Sequence, residues 1–283
     1  MKPVALGLAI LASLALARPA PAASPAPPAK PAATADAAAL DAVLKGDWRD
    51  PANAARDGQR HPKETLAFFG VKPGDTVVEI TPGGGWYAEI LAPYLRAQGR
   101  YVAAVVDPMA VPEGRSRDYQ QRGLDGLEKK FAGGPAQYDK AVFAKYDPKA
   151  PVFGAPGSAD VVLTFRNVHN WRSAGQAEGM FKGFFDVLKP GGVLGVVEHR
   201  AKGDVPADDR SGYVGEAQVI ALAEAAGFRL DGKSEVNANP KDTKDHPNGV
   251  WTLPPTNQHP ETDRAKYQAI GESDRMTLRF VKP

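Results

Sequence analysis

The sequence predicts a doubly wound α/β protein, a mostly parallel seven-stranded sheet with helices on both faces. Two observations carry that expectation. Short apolar and β-branched runs, such as Thr76-Val77-Val78-Glu79-Ile80 and Ala159-Asp160-Val161-Val162-Leu163-Thr164-Phe165, alternate with stretches of helical spacing. Strands of that kind, separated by helices, build a parallel sheet covered on both sides. The first run also leads directly into Gly83-Gly84-Gly85 and then into a helical stretch, the strand–turn–helix arrangement found at the binding edge of open α/β sheets.

The elements follow in order. Residues 1–22 read as a signal peptide: Lys2 supplies charge, Val4 to Ala17 is apolar, and Ala15-Leu16-Ala17 and Ala20-Pro21-Ala22 fit small-residue cleavage sites. An uncleaved N-terminal anchor is the other reading, although the run is shorter than the ~20 residues of a membrane span. Residues 23–38, nearly all Ala, Pro and Ser, read as a disordered tether, with an α/β domain over 39–283. Within it, Pro62 opens a helix over 62–69, and Val71-Lys72-Pro73-Gly74-Asp75 is a turn before the strand 76–80. Ile90, Leu91 and Leu95 give helical spacing to 86–96, and a second strand over 101–106 ends at Asp107-Pro108. A charged helix over 116–131 precedes a weaker third strand over 140–145. The strands 159–165 and 193–198 flank a helix over 173–188, stopped by Lys189-Pro190-Gly191-Gly192. A helix over 215–226, a strand over 228–236 and a last strand over 276–281 complete the pattern. Residues 237–271 fit no simple element; they carry Trp251 and two histidines, and form either a binding loop or a packed surface extension.

Composition narrows the function classes. With 43% hydrophobic residues among 283, the chain has material for a substantial core. A formal net charge of +2 gives no reason to expect nucleic acid or an anionic membrane as partner. The absence of cysteine excludes disulfides, thiolate zinc sites and a cysteine nucleophile. No H-E-x-x-H or EF-hand spacing occurs, so no metal is expected. The expected protein is exported, periplasmic or secreted, binds a small-molecule substrate, and has no stable membrane insertion after signal cleavage.

Glycines after a buried strand let the backbone turn sharply and approach a ligand, and the following helix offers free N–H groups. Gly83, Gly85 and Ala88 satisfy a dinucleotide G-x-G-x-x-G/A pattern. Glu79, four residues before Gly83, is out of place beside a pyrophosphate and suits a cofactor carrying an ammonium group.

The run Glu79-Ile80-Thr81-Pro82-Gly83-Gly84-Gly85 resembles the first motif of class I S-adenosylmethionine-dependent methyltransferases, with Thr81 where the first glycine usually stands. Leu188-Lys189-Pro190-Gly191-Gly192 is similar to a segment of the same family, and the Pro-Gly-Gly-Gly-Trp-Tyr loop is closest to a bacterial group of exported members. The resemblance implies a Rossmann-like methyltransferase fold with an antiparallel last strand and S-adenosylmethionine as cofactor. It implies a cofactor site of Glu79, Thr81, Gly83, Gly84, Gly85, Asp107 for the ribose, Asp147 on the adenine side, and Arg166. Glu79 paired with an arginine, and Asp107-Pro108 or Asp147-Pro148 as plain turns, are the alternatives. Trp86 and Tyr87 are either cofactor-facing aromatics or packing residues.

The fourth strand ends in Arg166-Asn167-Val168-His169-Asn170-Trp171, which is similar to the segment of small-molecule O-methyltransferases that bears a histidine base; Asn170 stands in place of that pattern's aspartate. His169, Asn167 and Glu198 are therefore the expected catalytic residues, Glu198 either orienting the base or pairing with Arg200 or Arg210. Arg60-His61 is a candidate for closing over the cofactor. The function expected is methyl transfer to a small O or N acceptor. An exported binding protein that keeps the fold without catalysis is the alternative, since the cofactor is made in the cytoplasm and the signal directs the chain outside it. A nicotinamide oxidoreductase lacks a Y-x-x-x-K pair here, and a hydrolase lacks a G-x-S-x-G elbow.

Overall fold

The computed structural model describes Met1 and residues 34–283; the expected signal peptide, 1–22, lies outside the described residues. Seven strands form one sheet: β1 (Thr76–Ile80), β2 (Arg100–Val106), β3 (Val142–Tyr146), β4 (Ala159–Phe165), β5 (Leu188–His199), β6 (Arg229–Ser234) and β7 (Arg275–Val281). Their order is β3-β2-β1-β4-β5-β7-β6. The pairings among β1 to β5 are all parallel, whereas β7 runs antiparallel to both β5 and β6. The doubly wound mostly parallel sheet with an antiparallel last strand is therefore present as expected.

The helices are α1 (Thr34–Leu44), α2 (Pro51–Ala54), α3 (Asp57–Arg60), α4 (Pro62–Phe69), α5 (Ala88–Leu95), α6 (Arg115–Gly133), α7 (Pro135–Tyr138), α8 (Val168–Ser173), α9 (Ala177–Val187), α10 (Glu216–Ala225) and α11 (Arg264–Ile270). Alternation along β1 sorts them into two layers. Val77 joins Leu66, Phe69, Ile90 and Leu127, from α4, α5 and α6, in one buried cluster. Val78 and Ile80 join Phe181, Phe184 and Val219, from α9 and α10, in the other. Each such fully buried side chain contributes roughly 1.5–3 kcal/mol by leaving water, so both faces of the sheet are held by apolar packing.

Four local expectations change. Helix α1 starts at Thr34, inside the segment assigned to the tether. The helix expected over 173–188 starts at Ala177, as α9; a separate short helix, α8, ends at Ser173, and Gly175 at φ +66 turns the chain between them. Lys189-Pro190-Gly191-Gly192 does not stand outside the sheet: β5 begins at Leu188, and Gly191 N–H donates to Lys282 O at 2.8 Å. Residues 237–271 are packed, with a 3-10 turn over Gly249–Thr252 and helix α11. Asn237 Nδ2 donates to Thr65 and Thr277 Oγ1, both at 2.9 Å, and the Asp242 carboxylate accepts from Tyr213 Oη at 2.9 Å. Among the described residues no helix is long and apolar enough to cross a membrane.

Candidate functional site

The strand order reverses between β1 and β4, and a cavity of about 750 Å³ opens beyond their carboxyl ends. Glu79, Thr81, Gly83 and Gly84 line one side; Arg166, Asn167, His169 and His199 line the other.

The glycine loop is shaped by distinct causes. Thr81 takes φ +51, Gly83 φ +58 and Gly85 φ +78, the left-handed region that costs a side-chain-bearing residue. Thr81 meets that cost with partners: its N–H donates to Ala104 O at 2.8 Å, and its Oγ1 lies 2.8 Å from Tyr146 Oη. A Cβ on Gly85 would lie 2.8 Å from Leu127 Cδ1, so packing requires that glycine. A Cβ on Gly84 meets nothing within 4 Å, and its φ is not left-handed. The protein itself therefore supplies no reason for Gly84, whereas a ligand lying against the loop does.

Glu79 is 3% exposed, and its Oε2 accepts from Tyr101 Oη at 2.6 Å. Burial pushes its carboxyl up to about 7, an effect the Tyr101 hydrogen bond only partly offsets. The arginine pairing considered for it does not occur. Trp86 and Tyr87 are packing residues that also face the cavity: Trp86 Nε1 donates to Asn53 O at 2.9 Å, and Tyr87 stacks on Phe165 with centroids 3.6 Å apart.

The two strand-end aspartates stand differently from expectation. Asp107 Oδ1 caps its own turn by accepting from Met109 N at 3.0 Å. Asp147 Oδ1 does the same with Lys149 N at 2.8 Å, and Tyr146 and Pro148 line the cavity in its place. The turn reading thus accounts for one oxygen of each carboxylate.

Beyond β4, α8 brings His169 over the end of β5. Its Nδ1 lies 3.1 Å from Glu198 Oε1, and Glu198 Oε2 accepts the His169 backbone N–H at 3.3 Å. Glu198 is wholly buried and also accepts from His199 N at 2.8 Å. The alternative pairing with Arg200 or Arg210 is not made; Arg200 engages Asp274 and Glu235 instead. Because a carboxylate only accepts, His169 carries its proton on Nδ1. Its Nε2 is buried without a hydrogen-bond partner in the cavity wall. Asn167 is a structural brace, its Nδ2 donating to Ile80 O at 3.0 Å and Thr164 Oγ1 at 3.2 Å, which leaves only Oδ1 for a ligand.

Three features go beyond the site residues expected from the sequence. His199 joins the wall, with Nδ1 2.5 Å from Ser273 Oγ. Burial first, then the charges of His169, Arg166 and Arg275, hold its pKa well below the usual histidine range. Trp251, from the 237–271 segment, sets its ring edge-on to His169 at 5.5 Å, so that segment supplies part of the cavity. Ligating atoms of His169, Glu198 and His199 also lie within 4.8 Å of one another. No linear motif signals that group, since it joins two strand ends. Arg60, 3% exposed, stacks its guanidinium over Trp86 at 4.8 Å and donates to Glu272 Oε2 at 3.1 Å; His61 is not in the cavity wall.

The fold that carries this site is similar to that of solved structures. A SAM-dependent methyltransferase from Aquifex aeolicus superposes with a TM-score of 0.54, at 15% identity over 86% of this chain and 98% of that one. The [4+2]-cyclase SpnF gives 0.56 at 17% over 84% and 86%, and the glycopeptide N-methyltransferase MtfA 0.50 at 14% over 83% and 100%. The fold is the Rossmann-like methyltransferase fold. At these identities the likeness concerns fold alone, and no family model and no curated protein matches the sequence.

Proposed function

We propose that this chain is an S-adenosylmethionine-dependent methyltransferase for a small-molecule O or N acceptor, one of the exported bacterial group with the Pro-Gly-Gly-Gly-Trp-Tyr loop, working in the periplasm or outside the cell. One observation carries the reading: the Glu198–His169 pair leaves an unpartnered Nε2 facing the cavity whose opposite side is the glycine loop.

The residues fit the cofactor. Glu79, buried with no cationic partner, suits its ammonium group, and the open space over Gly83 and Gly84 accepts its amino-acid and ribose portion. Asp107 Oδ2, without a partner among the described residues, is assigned to the ribose hydroxyls, and Asp147 shapes the adenine side through its turn. When bound, the cofactor supplies an electrophilic methyl group. His169 Nε2 takes the proton that the acceptor hydroxyl or amine gives up. Glu198 fixes the imidazole tautomer and stabilises the imidazolium that results, and Trp251 helps keep water from the pair.

The test is calorimetric titration of the chain from residue 23 onward with S-adenosylmethionine and its demethylated product. Micromolar binding that Asp107→Ala weakens supports the reading. A folded protein that binds neither ligand refutes it and favours the exported non-catalytic binder.

A further inference from the structure

The cavity carries an excess of positive charge. Arg56, Arg60 and Arg166 line it, and Arg275 stands behind them. Glu272 is the carboxylate they share: Arg56 Nε donates to it at 2.7 Å, Arg60 Nε at 3.1 Å and Arg275 Nη1 at 3.0 Å. Burial alone would raise the Glu272 carboxyl, but Arg275, Arg60, Arg56 and Arg166 override burial and hold it at about 2. The donors still outnumber the acceptors, since Arg56 Nη2 and Arg275 Nε are buried without partners.

Arg166 differs from the other three. Among the described residues its side chain makes no hydrogen bond and no ion pair, and its backbone is held at φ +62 by an N–H bond to Val197 O at 2.7 Å. A left-handed arginine is strained; the conformation places the side chain in the cavity wall on the side of His169 and Glu198, across from the glycine loop. Arg60, by contrast, stacks on Trp86 and pairs with Glu272.

Charge accounting selects the ligand. S-adenosylmethionine has a sulfonium, an ammonium and one carboxylate, so it adds positive charge to a site already rich in guanidinium groups. Glu272 and Glu198 offset part of that field at Arg166, and an anionic acceptor would offset more. A divalent cation on His169, Glu198 and His199 is opposed by the same field.

We propose that the methyl acceptor is a small organic acid whose carboxylate docks on Arg166 while its hydroxyl or amine meets His169 Nε2. This rests on the methyltransferase reading and names its substrate class; Arg166 passes from the cofactor to the acceptor. In the step itself, the acceptor atom forms a bond to the methyl carbon, its proton passes to His169 Nε2, and the electron pair of the broken C–S bond stays on sulfur.

The experiment titrates the chain from residue 23 onward, saturated with the demethylated cofactor product, with benzoate, 4-hydroxybenzoate and 3-hydroxybutyrate, each beside its neutral amide. At least one acid is expected to bind about tenfold or more tightly than its amide, the value of a charge-assisted bidentate pair. Arg166→Gln removes that preference and leaves affinity for the cofactor product within about twofold, because it loses no contact there. Arg166→Lys, which keeps the charge without the planar fork, retains part of the preference and serves if the glutamine variant does not fold. No acid preferred over its amide overturns the proposal. So does a Gln variant that weakens the cofactor product but not its decarboxylated analogue, which would give Arg166 to the cofactor's own carboxylate. If the wild-type protein binds no cofactor product, the methyltransferase reading fails separately. The acid and amide titrations on the chain alone then decide the anion site, by the same loss of preference in Arg166→Gln.

Discussion

If an ammonium group settles against Glu79, the carboxyl must give up a proton, and that proton can be counted. Burial holds the empty-site carboxyl at about 7, whereas a cation in contact favours the carboxylate. At pH 6 about 0.9 of the population is protonated, and at pH 8 about 0.1, by simple titration. Binding the demethylated cofactor product should therefore release about 0.9 proton at pH 6 and about 0.1 at pH 8, with affinity about tenfold weaker at pH 6. The assay is calorimetry in buffers of different ionisation heat, since observed enthalpy then varies in proportion to protons released. Glu79→Gln should abolish the buffer dependence. Stability gives an independent sign. The folded carboxyl lies above its ordinary value of 4.5, so the folded state binds more protons between 4.5 and about 7. Stability without ligand falls as pH rises through that window, by up to roughly 3 kcal/mol if the full shift is realised. Buffer-independent heats at pH 6 would refute the assignment of Glu79 to a cationic group.

Three further outcomes test the site. His169→Ala should lower turnover about 10²–10⁴-fold while cofactor affinity stays nearly unchanged, and Glu198→Gln should lower turnover and move the pH–rate profile; steady-state kinetics and calorimetry separate these effects from general damage. Gly85→Ala should destabilise by about 1–3 kcal/mol from the Leu127 contact and left-handed φ, whereas Gly84→Ala should leave the melting temperature in place and weaken cofactor binding. Asp107→Ala should cost more than tenfold in cofactor affinity, roughly one charge-assisted hydrogen bond at 1.5–3 kcal/mol.

The central strands were legible because strands buried on both faces leave near-continuous apolar runs, as in β1 and β4. β6 instead alternates between exposed and half-buried positions; all seven strands were found within a few residues. The start of α9 was not legible, because the turn before it rests on Gly175, and an isolated glycine in a helical pattern is ordinarily tolerated. The glycine loop was read from local spacing. Its neighbours across the cavity were harder: Glu198 stands next but one to Arg200, a natural local partner, yet Arg200 is taken by Asp274 and Glu235 from other elements. Trp251 reaches His169 from a distant segment, and Arg56 and Arg60 meet Glu272 across more than two hundred positions. No window of sequence contains them. Asp107 and Asp147 show how an Asp-Pro pair reads both ways: each holds its own turn with one carboxylate oxygen.

The topological switch explains why two opposite chemistries can share one cavity. β1 and β4 are hydrogen-bonded neighbours, with Ile80 opposite Thr164, so their last residues leave the sheet side by side. The chain after β1 turns toward α5, carrying the carboxyl of Glu79 and the glycine loop; the chain after β4 turns toward α8, carrying Arg166 and His169. Asn167 Nδ2 binds Ile80 O and so fastens the two exits together. An acid without a cation and a guanidinium without an anion are thus held on opposing walls, each left uncompensated by its own half of the sheet. Neither arrangement favours the empty fold. On the proposed function, both would be relieved at once by a ligand pair with an ammonium on the β1 side and a carboxylate on the β4 side, the reacting atoms lying beside His169 Nε2. On that proposed function, this polarity would orient cofactor and acceptor relative to each other before any group-specific contact is made.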